Sequence, residues 1–179
     1  MAVFHNADGL AVRYGREEGV NKGAGEYRVS GPFHITEVVL ELADLPSTQA
    51  AGAGIISDTV SIPSGAFIER VTAQVTVETA GTNANLDFGL IDQDRTTELD
   101  FNGFIAAGDA FNAGTDIGNT AANFTDYVPG ATEGGALLGT VLTNTGLLSA
   151  SYDTAAFTAG TLVLRVYWSK TPTKTDAIP

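Results

Sequence analysis

From Phe33 onward, apolar and polar residues alternate with a period of two. Thr36, Val38, Leu40 and Leu42 fall on one face, with Glu37, Val39 and Glu41 on the other. That is the pattern of a strand with one buried face. A Ser/Ala/Gly-rich loop over 47–54 follows, and 55–62 reads as a strand stopped by Pro63-Ser64-Gly65. The clearest alternation sets Val71, Ala73, Val75 and Val77 inward and Arg70, Thr72, Gln74, Thr76 and Glu78 outward. Ala80-Gly81-Thr82-Asn83 has turn chemistry, so Leu86, Phe88 and Leu90 are expected to return as the partner strand of a hairpin. The Gly/Ala/Asn/Asp-rich stretch 101–135 predicts a long excursion with little regular structure. Strands are expected again near 137–142 and 147–152. The last, over 161–169, puts Leu162, Leu164, Val166 and Trp168 on one face. Helical periodicity never lasts beyond about two turns. The fold class this predicts is all-β, an antiparallel β-sandwich of jelly-roll-like type with an extended N-terminal arm.

The first 32 residues break this pattern. Gly9, Gly15, Gly19, Gly23 and Gly25 interrupt any period, and Gly31-Pro32 closes the segment with a turn signal. Residues 1–32 therefore read as an extended arm with one short strand around 10–14. Residues 33–169 form the sandwich domain, and 170–179, with two prolines, a flexible tail. A length of 179 residues suits one domain with an arm.

Composition sharpens the picture in three ways. With 21 glycines and 22 threonines the chain is turn-rich and strand-prone. The absence of cysteine removes disulfides, thiol nucleophiles and Cys-ligated zinc together. The net charge of −12 opposes nucleic-acid binding. The charge is also uneven. Residues 1–32 balance four bases (Arg13, Arg16, Lys22, Arg28) against four acids, so the rest of the chain carries the whole deficit. An arm of this kind is expected to dock on a partner, with those four bases as its polar contacts. The start of the chain has neither the basic nor the apolar region of a leader. The most apolar uncharged stretch, 134–142, is far below the roughly 18 residues of a membrane span. The expectation is a soluble protein with no membrane partner.

Candidate chemistry is sparse. His5 and His34 are the only histidines, and no nucleophile signature accompanies either. They read as a surface and a strand-end histidine, with no catalytic residue assigned. Asp92, Asp94, Glu98 and Asp100 place four carboxylates within nine residues, enough oxygen to suggest calcium. The segment lacks the glycine of an EF-hand loop, and Arg95 sits among the acids. It therefore reads as a solvated turn whose carboxylates cap backbone N–H groups and pair with Arg95. No metal and no cofactor is expected. With 21 acids, sequence cannot nominate a glycosidase pair. A small hydrolase is the weakest reading, and a β-sandwich carbohydrate-binding module, with Trp168, Tyr152 or Tyr127 as its stacking platform, is the alternative.

Several strings carry a resemblance. They are Asp58-Thr-Val-Ser-Ile-Pro-Ser-Gly-Ala-Phe-Ile68, Phe88-Gly-Leu-Ile-Asp-Gln-Asp-Arg-Thr-Thr-Glu-Leu-Asp-Phe-Asn-Gly-Phe104 and Gly139-Thr-Val-Leu-Thr-Asn-Thr-Gly-Leu-Leu148. In the arm, Asp8-Gly-Leu-Ala-Val-Arg-Tyr-Gly15 and Gly25-Glu-Tyr-Arg28 join them. Together these resemble structural proteins of tailed-bacteriophage virions, most of all a head decoration (cement) protein. The resemblance implies a non-enzymatic protein assembled in the host cytoplasm that sits on the capsid exterior. Its implied partners are the major capsid protein and copies of itself, as a dimer or trimer. A tail or neck component of the virion is the neighbouring role.

Overall fold

The computed structural model describes residues 33–82, 84–108, 124–131 and 134–170. It gives the backbone alone for 2–5, 11–14, 24–28, 107, 108 and 124. Eleven strands are formed by these residues: β1 (Ala2–His5), β2 (Ala11–Tyr14), β3 (Ala24–Arg28), β4 (Phe33–Glu41), β5 (Ser61–Ile62), β6 (Phe67–Ala80), β7 (Ala84–Asp92), β8 (Glu98–Gly108), β9 (Phe124–Tyr127), β10 (Gly146–Thr154) and β11 (Ala159–Ser169). The only helical pieces among them are two single 3-10 turns, Leu42–Asp44 and Ala50–Gly52. The chain is all-β, as the alternation predicts.

The strand order gives the topology. One sheet runs β3-β4-β11-β6-β9, the other β5-β10-β7-β8, and β1 and β2 form a separate hairpin. Within the two main sheets β4 pairs with β11, β5 with β10, β6 with β9 and β7 with β8, all antiparallel. These nested pairs are one long hairpin rolled up, which is the jelly roll. β3 adds a further strand to the free edge of β4, with Tyr27 opposite Ile35.

Between the sheets lies one core. Val38, Leu40, Val71, Ala73, Val75, Leu162, Leu164, Val166 and Trp168 face Leu86, Phe88, Leu90, Phe104, Leu148 and Ala150. Phe88 and Phe104 pack at 5.3 Å, tilted by 49°. Each such side chain contributes about 1.5–3 kcal/mol on leaving water. The indole of Trp168 is 2% exposed, and its Nε1–H donates to Thr36 Oγ1 at 2.9 Å. That bond satisfies the only polar atom the ring buries.

Six expectations need correction. β6 and β7 are not a hairpin. β6 pairs with β11 and β9, β7 with β10 and β8, and the 80–83 turn carries the chain from one sheet to the other. Val77 is 52% exposed. The register of β6 on β11 slips near it, so Val77 falls opposite Thr161 while Val75 falls opposite Leu162. A bulge inserts one residue and turns the next side chain to the other face. The excursion from 101 instead continues β8 to Gly108, and β9 lies before its end. The strand over 55–62 is broken. Ile55 bridges Ser149 and Ser61–Ile62 pairs with β10, but Ser57 and Thr59 turn the chain between them. Finally, 137–142 is a turn that ends alongside β6, where Val141 bridges Phe67. The arm contains three short strands where one was expected.

Candidate functional site

The three body strings that carry the resemblance meet at one end of the sandwich. At that end β5 passes through 63–66 into β6, with Ser64 N–H donating to Thr145 Oγ1 at 3.1 Å and Ser64 Oγ–H to the Thr143 carbonyl at 2.7 Å. Asn144 Nδ2 donates to Asp92 Oδ2 at 3.1 Å, tying the 139–148 segment to the turn between β7 and β8. Gly146 lies opposite both Ile62 and Asp92. The segment also runs along β6, exchanging backbone bonds from Gly139 and Thr140 with Ile68 and from Leu142 with Gly65 and Ala66.

The same end exposes apolar side chains. Ser169 is paired with Phe33 on one side and Phe67 on the other, and Phe67 is bridged to Val141. Directly paired residues point to the same face of a sheet. The adjacent row, His34, Trp168 and Ile68, points inward, so this row points out. Phe33 is 61%, Phe67 39% and Val141 59% exposed. Of the five exposed large hydrophobics among the described residues, Val77 lies toward the opposite end, and Val128 follows the end of β9. Two residues further in, Tyr167 stands opposite Ile35 and Arg70, with the Arg70 guanidinium 4.3 Å from its ring. Both ends of the described body emerge here, at Phe33 and at Lys170, whose side chain lies over Gly65.

The acidic turn lies at the same end of the sandwich, at the end of the other sheet. Asp94 accepts from the N–H groups of Thr96 and Thr97 and from Thr97 Oγ1 at 2.6 Å. These bonds favour the charged form and hold the carboxyl at about 2. Its capping role is as expected, but the expected arginine partner is not. Arg95 adopts a left-handed backbone (φ 63°) and reaches Asp58 at 2.9 Å. Asp100 is pushed up by burial and, secondarily, by the Glu98 charge, against a backbone N–H bond from Asn102 that favours ionisation. No group of three or more His, Asp or Glu able to hold a metal is found among the described residues.

The arginines of the body are each paired. Arg165 Nε meets Glu37 at 2.7 Å, Arg70 meets Asp126 at 3.0 Å, and Arg95 meets Asp58. The expected arm contacts are placed less fully. Arg13 lies on β2 opposite Val3, and Arg28 on β3 opposite His34. Arg16 and Lys22 lie outside the described residues, as do the side chains of all four. His5 closes β1, and the His34 ring stacks on Trp168 at 4.0 Å.

The proposed sugar platform does not exist as drawn. Trp168 and Tyr127 are 2% and 1% exposed, closed to any ligand, and Tyr152 packs against the core. Sequence reading missed the exposed row because Phe33, Phe67 and Val141 look like ordinary strand residues. Only cross-strand register, which a single sequence does not carry, brings them side by side.

No protein-family model matches this chain, and no curated protein sequence does. Its backbone is similar to a chain in the acidic stable capsid structure of Helicobacter pylori bacteriophage KHP30, with a TM-score of 0.48 at 16% identity over 83% of this chain and 95% of that one. A chain in the capsid of Ralstonia phage GP4 is similar at a TM-score of 0.45 and 15% identity, covering 80% and 87%. One in the cyanophage Pam1 capsid asymmetric unit follows at 0.42 and 16%, covering 89% and 93%. Likenesses this distant say nothing about what a surface binds.

Proposed function

We propose that this chain is a non-enzymatic structural protein of a bacteriophage virion, which binds the outside of the capsid shell and stabilises it. The observation that carries this reading is the convergence of the three resemblance strings on one end of the jelly roll. There they supply Phe67 and Val141 of the exposed apolar row and, on the other sheet at the same end, the acidic turn, a surface suited to another protein. An apolar centre with a polar border is the usual anatomy of a protein–protein interface. The strings are turns and strand edges that hold this surface in place, so the resemblance and the geometry concern the same residues.

The arm belongs to the same reading. Residues 1–32 have too few apolar residues for a core of their own, and their one described attachment to the body is the β3–β4 pairing. Arg13, Arg16, Lys22 and Arg28 are its cations, proposed to contact acidic groups on the shell. Deleting residues 1–28 removes β3 and leaves the two-sheet core intact. The truncated protein is expected to keep its far-UV circular dichroism and to bind undecorated heads more weakly at low salt than the full chain, with the gap closing as salt rises. Equal binding at both salt concentrations would take the arm out of the mechanism.

Stabilisation is tested by heating undecorated heads with and without the protein. A ligand that binds only the intact shell raises the temperature at which it opens. An unchanged opening temperature at saturating protein would defeat the reading. The carbohydrate-binding alternative gains no support from the site, because its aromatic residues are in or against the core.

A further inference from the structure

We infer that Asn102, on the bulge of β8, is a site of spontaneous deamidation whose isoaspartate product loosens segment 134–138. Asn102-Gly103 is the sole Asn-Gly pair in the chain. Glycine sets no Cβ beside its own backbone nitrogen, so ring closure onto a preceding asparagine is least hindered there. A regular strand would still oppose closure, because its ladder holds each peptide plane in place. β8 is not regular at this point. Asp100 stands opposite Leu90 and Ile105 opposite Phe88, so the four residues 101–104 face Gly89 alone. The ladder is disrupted across such a bulge. The Asp100 carboxylate accepts the Asn102 N–H, and the Asn102 side chain is exposed.

In the reaction the Gly103 nitrogen attacks Asn102 Cγ. The new C–N bond closes a succinimide, and the side-chain nitrogen leaves as ammonia, carrying in net the proton that Gly103 gives up. Water then opens one imide carbonyl or the other, to aspartate or to isoaspartate. In isoaspartate the main chain runs through the side-chain carbons and is longer by a methylene. That methylene enters directly before Gly103, whose carbonyl accepts the Leu137 N–H at 2.9 Å. The next carbonyl, of Phe104, accepts the Gly135 N–H at 3.1 Å, and Ile105 bridges Gly134. Leu137 also closes over Gly103, where a Cβ would stand 2.5 Å from Leu137 Cδ1. A longer main chain cannot keep this fit, so segment 134–138 loses its seat on β8.

The change needs no partner, so it is followed on the isolated full chain at mildly alkaline pH. The probes are peptide mapping by mass spectrometry and labelling by an isoaspartyl methyltransferase. Asn102 is expected to convert ahead of every other asparagine, at a rate within about a hundredfold of its rate in urea. A site opened only by global unfolding would be slower by about a thousandfold or more. Slowing beyond the expected limit, or earlier conversion at another asparagine, would overturn the inference. Asn102→Gln, at an exposed position, is expected to stop conversion in that peptide. After ageing, amide hydrogen exchange over 134–138 is expected to quicken in the parent chain and not in the Asn102→Gln variant. Isoaspartate at 102 with no such difference would overturn the link to segment 134–138.

Discussion

Gln49 shows how one buried polar residue can fix a loop. It is 1% exposed, and its Nε2 donates to the Phe101 carbonyl at 2.9 Å and to Ser151 Oγ at 3.2 Å, while Ser149 Oγ–H donates to its Oε1. The 45–54 loop is thereby clamped over β10 and β8. Gly54 lies flush on the sheet, since a Cβ there would stand 2.4 Å from the Ala150 carbonyl oxygen. Gln49→Ala leaves the Phe101 carbonyl and two hydroxyls without a partner and is expected to cost about 1–3 kcal/mol in urea unfolding. An unchanged midpoint would show that the clamp does not hold the loop.

Two carboxylates set opposite pH dependences. Asp94 is held at about 2 from an ordinary value of 3.8, so its stabilising effect is present above pH 3.8 and fades as pH falls toward 2. Asp100 is raised, so it favours the folded state on the acid side and loses that contribution as pH rises through its folded value. Asp94→Asn is expected to flatten the acid limb of a stability-versus-pH profile. Asp100→Asn is expected to raise the thermal midpoint at neutral pH, where the charged form is the disfavoured one. A lower midpoint for Asp100→Asn would mean that its hydrogen bond from Asn102 outweighs its burial.

At the scale of the element, the strands themselves were legible where one face is buried. The inward faces of β4 and β11 read correctly, with Val38, Leu40, Leu162, Leu164, Val166 and Trp168 inside, although β11 begins two residues earlier than expected. Pairing was less legible. The 80–83 turn uses residues that suit a hairpin and a crossing between sheets equally, and only the closed topology tells them apart. Bulges are equally silent in sequence, which is why Val77 was expected inside. The contrast between Val75 and Val77 tests this directly. Val75→Lys buries an unpaired charge and is expected to cost about 3 kcal/mol or more, whereas Val77→Lys is expected to stay within about 0.5 kcal/mol. Similar costs at both sites would contradict the bulged register. The acidic turn was legible as a capping turn because Asp94 and the threonines after it act locally. The Arg95–Asp58 pair was not, being set by how the 45–60 loop folds over the sheet.

At the scale of the whole molecule, a jelly roll has two ends that differ in kind here. One end holds the 80–83 crossing and the β10–β11 turn. The other gathers the resemblance strings, the apolar row, the acidic turn and both exits of the body. A net charge of −12 opposes non-specific self-association at long range, so firm contact needs a complementary surface. The central claim is that this surface is met on a phage head. Co-sedimentation of the full chain with purified undecorated heads tests it most directly. Saturable binding, at a fixed number of copies per head and weakened by Phe67→Ser with Val141→Ser, is the predicted result. Protein left wholly in the supernatant at every concentration would contradict it.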